Sequence, residues 1–317
     1  MAADMAEIFD NVVGHQLAKD MFKRYLIKKI PHSFILAGPA GLGKRRFARE
    51  AVGAILCQTK NVCGECVGCQ DWQKPDSQGF TSFPRGKTIT IEEVRKLKEE
   101  LSRSDWHGGS RVVLVEDVEA ITIPAANAIL KVLEEPGSRV YFIFLAENIK
   151  KVLDTIVSRS IIIPFNRLSR EEMKHFLADT DKQAADYLVK VAMGLPARLD
   201  QVKAVSRQRH LQNVKNFWCL LKVEAWHKMA FASQVSESDR KRLLGLLFFW
   251  ESCLRDLLLW QLNLKQYMWW QSEEIEELYL QFQSVDVMTK LTELSTMRKK
   301  IDVMSKKTQI FNWMLSF

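Results

Sequence analysis

The stretch Ser33-Phe34-Ile35-Leu36-Ala37-Gly38-Pro39-Ala40-Gly41-Leu42-Gly43-Lys44-Arg45 (SFILAGPAGLGKR, residues 33–45) decides the fold. An apolar, β-rich run enters a glycine-rich loop, and Arg46-Phe47-Ala48-Arg49-Glu50-Ala51 continues with helical character. Strand, loop and helix in that order form a phosphate-cradling P-loop. Gly38, Gly41 and Gly43 let backbone N–H groups turn inward, the helix N-terminus adds partial positive charge, and Lys44 is placed to reach the β and γ phosphates. The position after the lysine calls for Ser or Thr, whose hydroxyl ligates Mg²⁺, and here it is Arg45. A guanidinium offers no acceptor lone pair and repels a divalent cation, so phosphate binding can survive while magnesium-assisted hydrolysis should not.

Working outward, Val112–Val115, Val140–Leu145 and Ser160–Ile163 repeat the short apolar pattern of Ser33–Ala37, with helical segments between them. Such runs predict an α/β fold with a parallel sheet buried between helices. The run Val112–Val115 ends in Glu116-Asp117, where a P-loop protein carries the carboxylate that holds Mg²⁺ and the one that polarises water. Two readings of this pair stand. Either it is that catalytic pair with its usual order reversed, which displaces both carboxylates by about 1 Å, or it is two surface acids at a strand end. Both argue against hydrolysis.

From Leu168 the pattern becomes helical. Ser169 stands ahead of Glu172 as an N-cap signature, and ADYLVKVAMG ends in a glycine at a helix stop. Beyond Ser206, the segments 211–222, 238–263, 273–283 and 285–304 carry apolar residues at three and four spacing, which predicts an all-helical region. Its tryptophans (Trp218, Trp226, Trp250, Trp260, Trp269, Trp270 and Trp313) read as core rather than as a base-stacking platform, because aromatics at helical spacing usually line helix interfaces. We therefore expect residues 1–166 to form the P-loop domain, 167–205 a small helical domain and 206–317 an all-helical domain.

Composition is consistent with a folded protein of this size. The 317 residues are 47% hydrophobic and 26% charged, without low-complexity tracts. A formal charge of +8 permits contact with a polyanion without establishing it. The N-terminus has early acidic residues and no basic-then-apolar run, and the most apolar stretch, Leu243–Trp250, is far shorter than a membrane span. The expectation is a cytoplasmic protein without membrane contact. Four of six cysteines fall at Cys57, Cys63, Cys66 and Cys69, while Cys219 and Cys253 stand apart among apolar residues. Four thiols within one short segment can close a tetrahedral site, so we expect a structural Zn²⁺ with no open ligand position. The segment carries Lys60 but also Glu65 and Asp71, so it is no concentrated basic patch for nucleic acid.

Further motifs complete the pattern: Val13-Gly14-His15-Gln16, Pro31-His32-Ser33-Phe34, the cysteine module after the P-loop helix, Ala125-Ala126-Asn127-Ala128-Ile129-Leu130-Lys131-Val132-Leu133-Glu134-Glu135-Pro136, and Thr155-Ile156-Val157-Ser158-Arg159-Ser160. Over residues 9–200 this constellation resembles the delta-prime family of bacterial DNA polymerase III clamp-loader subunits, which are AAA+ proteins. The resemblance implies an AAA+ P-loop domain with an inserted zinc module at 57–69, a helical lid and an oligomerising helical collar. It implies a replication protein that works beside gamma/tau and delta subunits and reaches the sliding clamp and primed DNA through the complex. It implies a component of the polymerase holoenzyme that does not hydrolyse ATP itself, and leaves open whether its degenerate site holds ATP.

Under the resemblance, Arg159 in Ser158-Arg159-Ser160 matches the arginine finger offered in trans to a neighbour's nucleotide, with Ser160 where the family has cysteine. Asn148 and Arg198 match the two sensor positions and are candidates for nucleotide contact beside Lys44, Arg45, Glu116 and Asp117. Lys87–Arg95 matches a family segment read as structural. The alternative expectation is a gamma/tau-like motor whose P-loop still works, which Arg45 disfavours, as does the lack of an extension beyond the collar.

Overall fold

The computed structural model describes residues 8–74, 77–102, 109–134, 139–199, 217–218, 240–268 and 273–301. The chain divides after residue 202 into two compact units. Among the described residues, no helix is long and apolar enough to cross a membrane.

The N-terminal unit is built on a five-stranded, wholly parallel sheet. Its strands are β1 (Ser33–Ala37), β2 (Phe80–Phe83), β3 (Arg111–Val115), β4 (Val140–Ala146) and β5 (Ile161–Pro164), in the order β2-β3-β4-β1-β5. In the inner strands the apolar residues are continuous because helices cover both faces. Phe34, Ile35 and Leu36 of β1 and Val112 to Val115 of β3 are all buried. One face packs against α1 (Gln16–Lys28) and α2 (Lys44–Leu56), the other against α4 (Ile91–Ser102) and α5 (Ile123–Glu134). Phe47 on α2 stacks on Phe9 at 4.2 Å and meets Phe22 and Phe165 edge-on, which clamps the helix that follows the P-loop.

Between α2 and β2 lies the cysteine segment with a short helix, α3 (Val67–Trp72). Edge strand β2 was not anticipated: Phe-Thr-Ser-Phe has neither a long apolar run nor strong alternation, and it has only β3 as a neighbour. Buried Asp71 secures its entrance, accepting hydrogen bonds from the Ser77 hydroxyl at 2.5 Å and from the N–H groups of Gly79 at 2.8 Å and Gln78 at 3.2 Å.

After β4 come α6 (Asp154–Val157), β5, α7 (Arg170–Lys174) and α8 (Lys182–Ala192). Ser169 and Glu172 form the reciprocal capping box that their spacing anticipates, and Gly194 after α8 has φ 69°. A Cβ at Gly194 would lie 2.5 Å from the Leu168 carbonyl oxygen, so glycine is required there on steric grounds as well.

The C-terminal unit contains α9 (Arg240–Gln261), α10 (Glu273–Leu280) and α11 (Val287–Ile301). Leu247, Trp250, Leu254 and Leu257 recur at three and four spacing on α9 and are buried. Trp218 is buried beside Tyr279 and Phe282, and Phe217 lies against Trp250. These two tryptophans are therefore core. Trp226, Trp269, Trp270, Trp313, Cys219 and most of the expected helix 211–222 lie outside the described residues.

Candidate functional site

In a parallel sheet, ligands collect beyond the carboxyl ends of the strands. Here β1 leads into Gly38, β3 into Glu116 and β4 into Glu147-Asn148, and the pairing of Ala37 with Ala146 brings the first and last of these alongside one another. Gly38 must be glycine: at φ 158° its missing Cβ would lie 2.2 Å from the Phe165 carbonyl oxygen. Gly41 and Gly43 take φ of 83° and 87°, and Gly43 caps α2.

The loop carbonyls are held from several sides. His15 donates through Nε2 to the Leu42 carbonyl at 2.8 Å. Desolvation by burial lowers the His15 pKa, in keeping with a neutral ring. The Ala197 N–H donates to the Gly41 carbonyl at 3.2 Å, bringing the turn Pro196–Arg198, and with it Arg198, to the loop. Lys44 is buried and folds back, donating to the carbonyls of Gly38 and, at 2.7 Å, Pro39. Desolvation lowers its pKa to about 8, against the attraction of Glu147 and Glu119.

Arg45 and Glu116, singled out separately in the sequence, meet. The Arg45 Nε donates to Glu116 Oε1 at 2.8 Å, with the guanidinium largely exposed and the carboxylate only 5% exposed. The other Glu116 oxygen accepts the Arg85 N–H at 3.3 Å. Both oxygens of the carboxylate that would face a magnesium ion thus carry donors, and a divalent cation placed there would sit against a guanidinium. Asp117 opens the turn Val118–Ala120 without a side-chain cap.

Asn148 lies exposed past β4. Its Oδ1 accepts the Lys150 N–H at 3.0 Å and its own N–H reaches Glu119 Oε1 at 2.5 Å, so its side chain caps a turn. The ion pair of Arg85 and Glu147 borders the same region. Glu119, Arg85 and Glu147 were not read from the sequence, since their partners come from three separate loops and no local spacing marks them.

Arg159 lies at the opposite end of the strands, in the turn between α6 and β5. Its Nη2 donates to Glu134 Oε1 at 2.7 Å, and its Nη1 donates to the Thr155 carbonyl at 3.1 Å and to Ser158 Oγ at 3.3 Å. The Ser160 hydroxyl donates to the Ile156 carbonyl at 2.8 Å and shares a hydrogen bond of 2.6 Å with buried Ser33 at the start of β1. Ser160 therefore tethers the turn that presents Arg159.

The sulfurs of Cys57, Cys63, Cys66 and Cys69 all lie within 4.8 Å of one another. Cys57 is 3.7 Å from Cys63 and 4.0 Å from Cys66. Four thiolates around one zinc at about 2.3 Å require sulfurs about 3.8 Å apart, so the donor set fits that ion, closed on all sides. Backbone N–H groups of Gln58 and Cys63 point at the Cys66 and Cys57 sulfurs, which supports thiolate charge. Burial pushes the Cys57 thiol up, but hydrogen bonds from the Thr59 hydroxyl and from nearby backbone outweigh it and bring the pKa down to about 5.

The family described as "DNA polymerase III, delta subunit" matches residues 14–169. DNA polymerase III subunit delta' of Pseudomonas aeruginosa is 32% identical over 230 residues, covering 69% of both chains. DNA polymerase III subunit gamma of Buchnera aphidicola is 25% identical over 256 residues, covering 75% of this chain and 70% of its own. A gamma subunit-related protein of Thermotoga maritima superposes with a TM-score of 0.46 at 16% identity, covering 94% of this chain and 97% of its own.

Proposed function

The chain belongs to the delta-prime family of DNA polymerase III clamp-loader subunits, and from that premise we propose that it serves the loader without hydrolysing ATP, lending Arg159 to the nucleotide of a neighbouring ATPase subunit. The observation that carries this reading is the Arg45–Glu116 ion pair. A motor site needs a hydroxyl and a free carboxylate for magnesium, and here a guanidinium replaces the first and engages the second. Lys44, turned onto the loop's own carbonyls, supports the same reading. Asn148 and Arg198 are then relics of a sensing site rather than sensors.

The role of Arg159 follows from charge. An arginine supplied in trans stabilises charge growing on the transferred phosphoryl group, and its planar fork serves where the point charge of lysine does not. In this reading residues 1–166 are the AAA+ domain, 167–205 its lid and 206–317 the collar through which subunits assemble. Partners are gamma/tau and delta subunits, with the clamp and primed DNA reached through the complex in the cytoplasm. Zn²⁺ held by Cys57, Cys63, Cys66 and Cys69 is structural.

Two assays test the reading. The purified chain with Mg-ATP should show no turnover above background; hydrolysis that Lys44→Ala abolishes would favour the gamma/tau-like motor instead. In the assembled loader, Arg159→Ala should lower hydrolysis at the site it completes by roughly 10³-fold or more. Full activity of that variant would remove the finger.

A further inference from the structure

We propose that Glu134 is a positioning residue for Arg159, its carboxylate holding the guanidinium in the attitude from which it reaches a neighbour's phosphate. The inference rests on the reading of Arg159 as a group lent in trans.

Arginine is a long, rotamer-rich side chain, and one that swept freely through solvent would have to be ordered at each encounter. Arg159 is already ordered. Two of its contacts, to the Thr155 carbonyl and Ser158 Oγ, lie within its own turn and move with it. The contact to Glu134 is different in kind, because Glu134 ends α5, 25 positions earlier in the chain. That helix is fixed to the sheet through Ala125, Ala126, Ile129, Val132 and Leu133. Glu134 therefore ties the guanidinium to the rigid frame of the domain, whereas Thr155 and Ser158 tie it only to the backbone that carries it.

The strength of the tie also suits the role. The side chains of Arg159 and Glu134 are 38% and 51% exposed. An ion pair so open to solvent biases a conformational equilibrium by up to about fivefold and is readily shared with or surrendered to a polyphosphate of higher charge. It orients the fork without shutting it in. Removing the carboxylate should cost the fraction of encounters in which the finger is correctly aimed and leave the nucleotide's own binding alone.

The experiment uses the loader reconstituted from this chain and its cognate ATPase subunits. ATP hydrolysis is measured for Glu134→Gln, Arg159→Ala and the double variant, with the melting temperature of each chain alongside. Glu134→Gln should lower kcat two- to fivefold at unchanged KM and melting temperature, and should have no further effect in the Arg159→Ala background. An equal loss in that background, or a lowered melting temperature, would assign Glu134 a structural part and overturn the inference. So would an unchanged kcat, or a raised one, the latter meaning that the carboxylate masks the finger. If Arg159→Ala alone leaves hydrolysis intact, the finger reading itself fails, a result separate from any effect of Glu134.

Discussion

Lys44 combines a charge with burial, which makes it sensitive to pH. Its folded pKa of about 8 lies below the ordinary lysine value, first because of desolvation. Between about pH 8 and the unfolded value, the unfolded chain binds more protons than the folded one, so this residue's contribution to stability rises with pH across that window. Below pH 8 the lysine is charged in both states and the burial cost stands in full. We expect Lys44→Met to be more stable relative to wild type at pH 7.5 than at pH 9.5 in urea unfolding. A difference independent of pH would mean that desolvation does not govern Lys44. That lysine, and the missing magnesium hydroxyl at Arg45, were legible from residue type and spacing alone. The pairing of Arg45 with Glu116 was not, because it joins the first turn of α2 to the end of β3, a strand separated from β1 by β4.

At the scale of elements, the strand-loop-helix unit, the inner strands and the capping box were legible, since each is written in a local pattern of apolar or capping residues. Strand β2 was not: it derives its place from β3 and from Asp71 rather than from its own sequence. The capping box gives a modest prediction. Ser169→Ala should cost about 1 kcal/mol, read by denaturant unfolding, because the Glu172 N–H loses its partner. A larger effect is expected where α3 packs on α2. A Cβ at Gly68 would lie 2.0 Å from the Leu56 carbonyl oxygen, so α3 would have to withdraw from α2. Cys57 and Cys69 sit on the two sides of that contact. Gly68→Ala should therefore cost roughly 1–3 kcal/mol and weaken metal retention, measured as melting temperature and zinc per chain after dialysis. Wild-type protein should retain one zinc, and stripping it with a strong chelator should lower the melting temperature. Zinc retained in full by Gly68→Ala would mean that the cysteine segment forms without the α2–α3 contact.

Across the whole molecule, the two candidate regions within the N-terminal unit lie at different ends of the strands, with the P-loop at the carboxyl end of β1 and Arg159 just before the amino end of β5. Under the proposed reading, that separation holds Arg159 away from the chain's own phosphate loop and leaves it available to a neighbouring subunit's nucleotide. The two ends were legible once residues 33–37 and 160–163 were read as strands of one parallel sheet, since the P-loop follows the first and Arg159 precedes the second. Strand order was not legible, and it is what brings β5 beside β1.

The helix α2 runs from Lys44 to Leu56 and delivers Cys57 directly at its end, so the phosphate loop and the four-thiolate site stand at opposite tips of one rod of 13 residues, about 20 Å long. Loaded with cobalt in place of zinc, that site would become a paramagnetic beacon at fixed range from the loop. Pseudocontact shifts at Gly41 and Gly43 would then report whether the loop keeps its conformation when nucleotide is added.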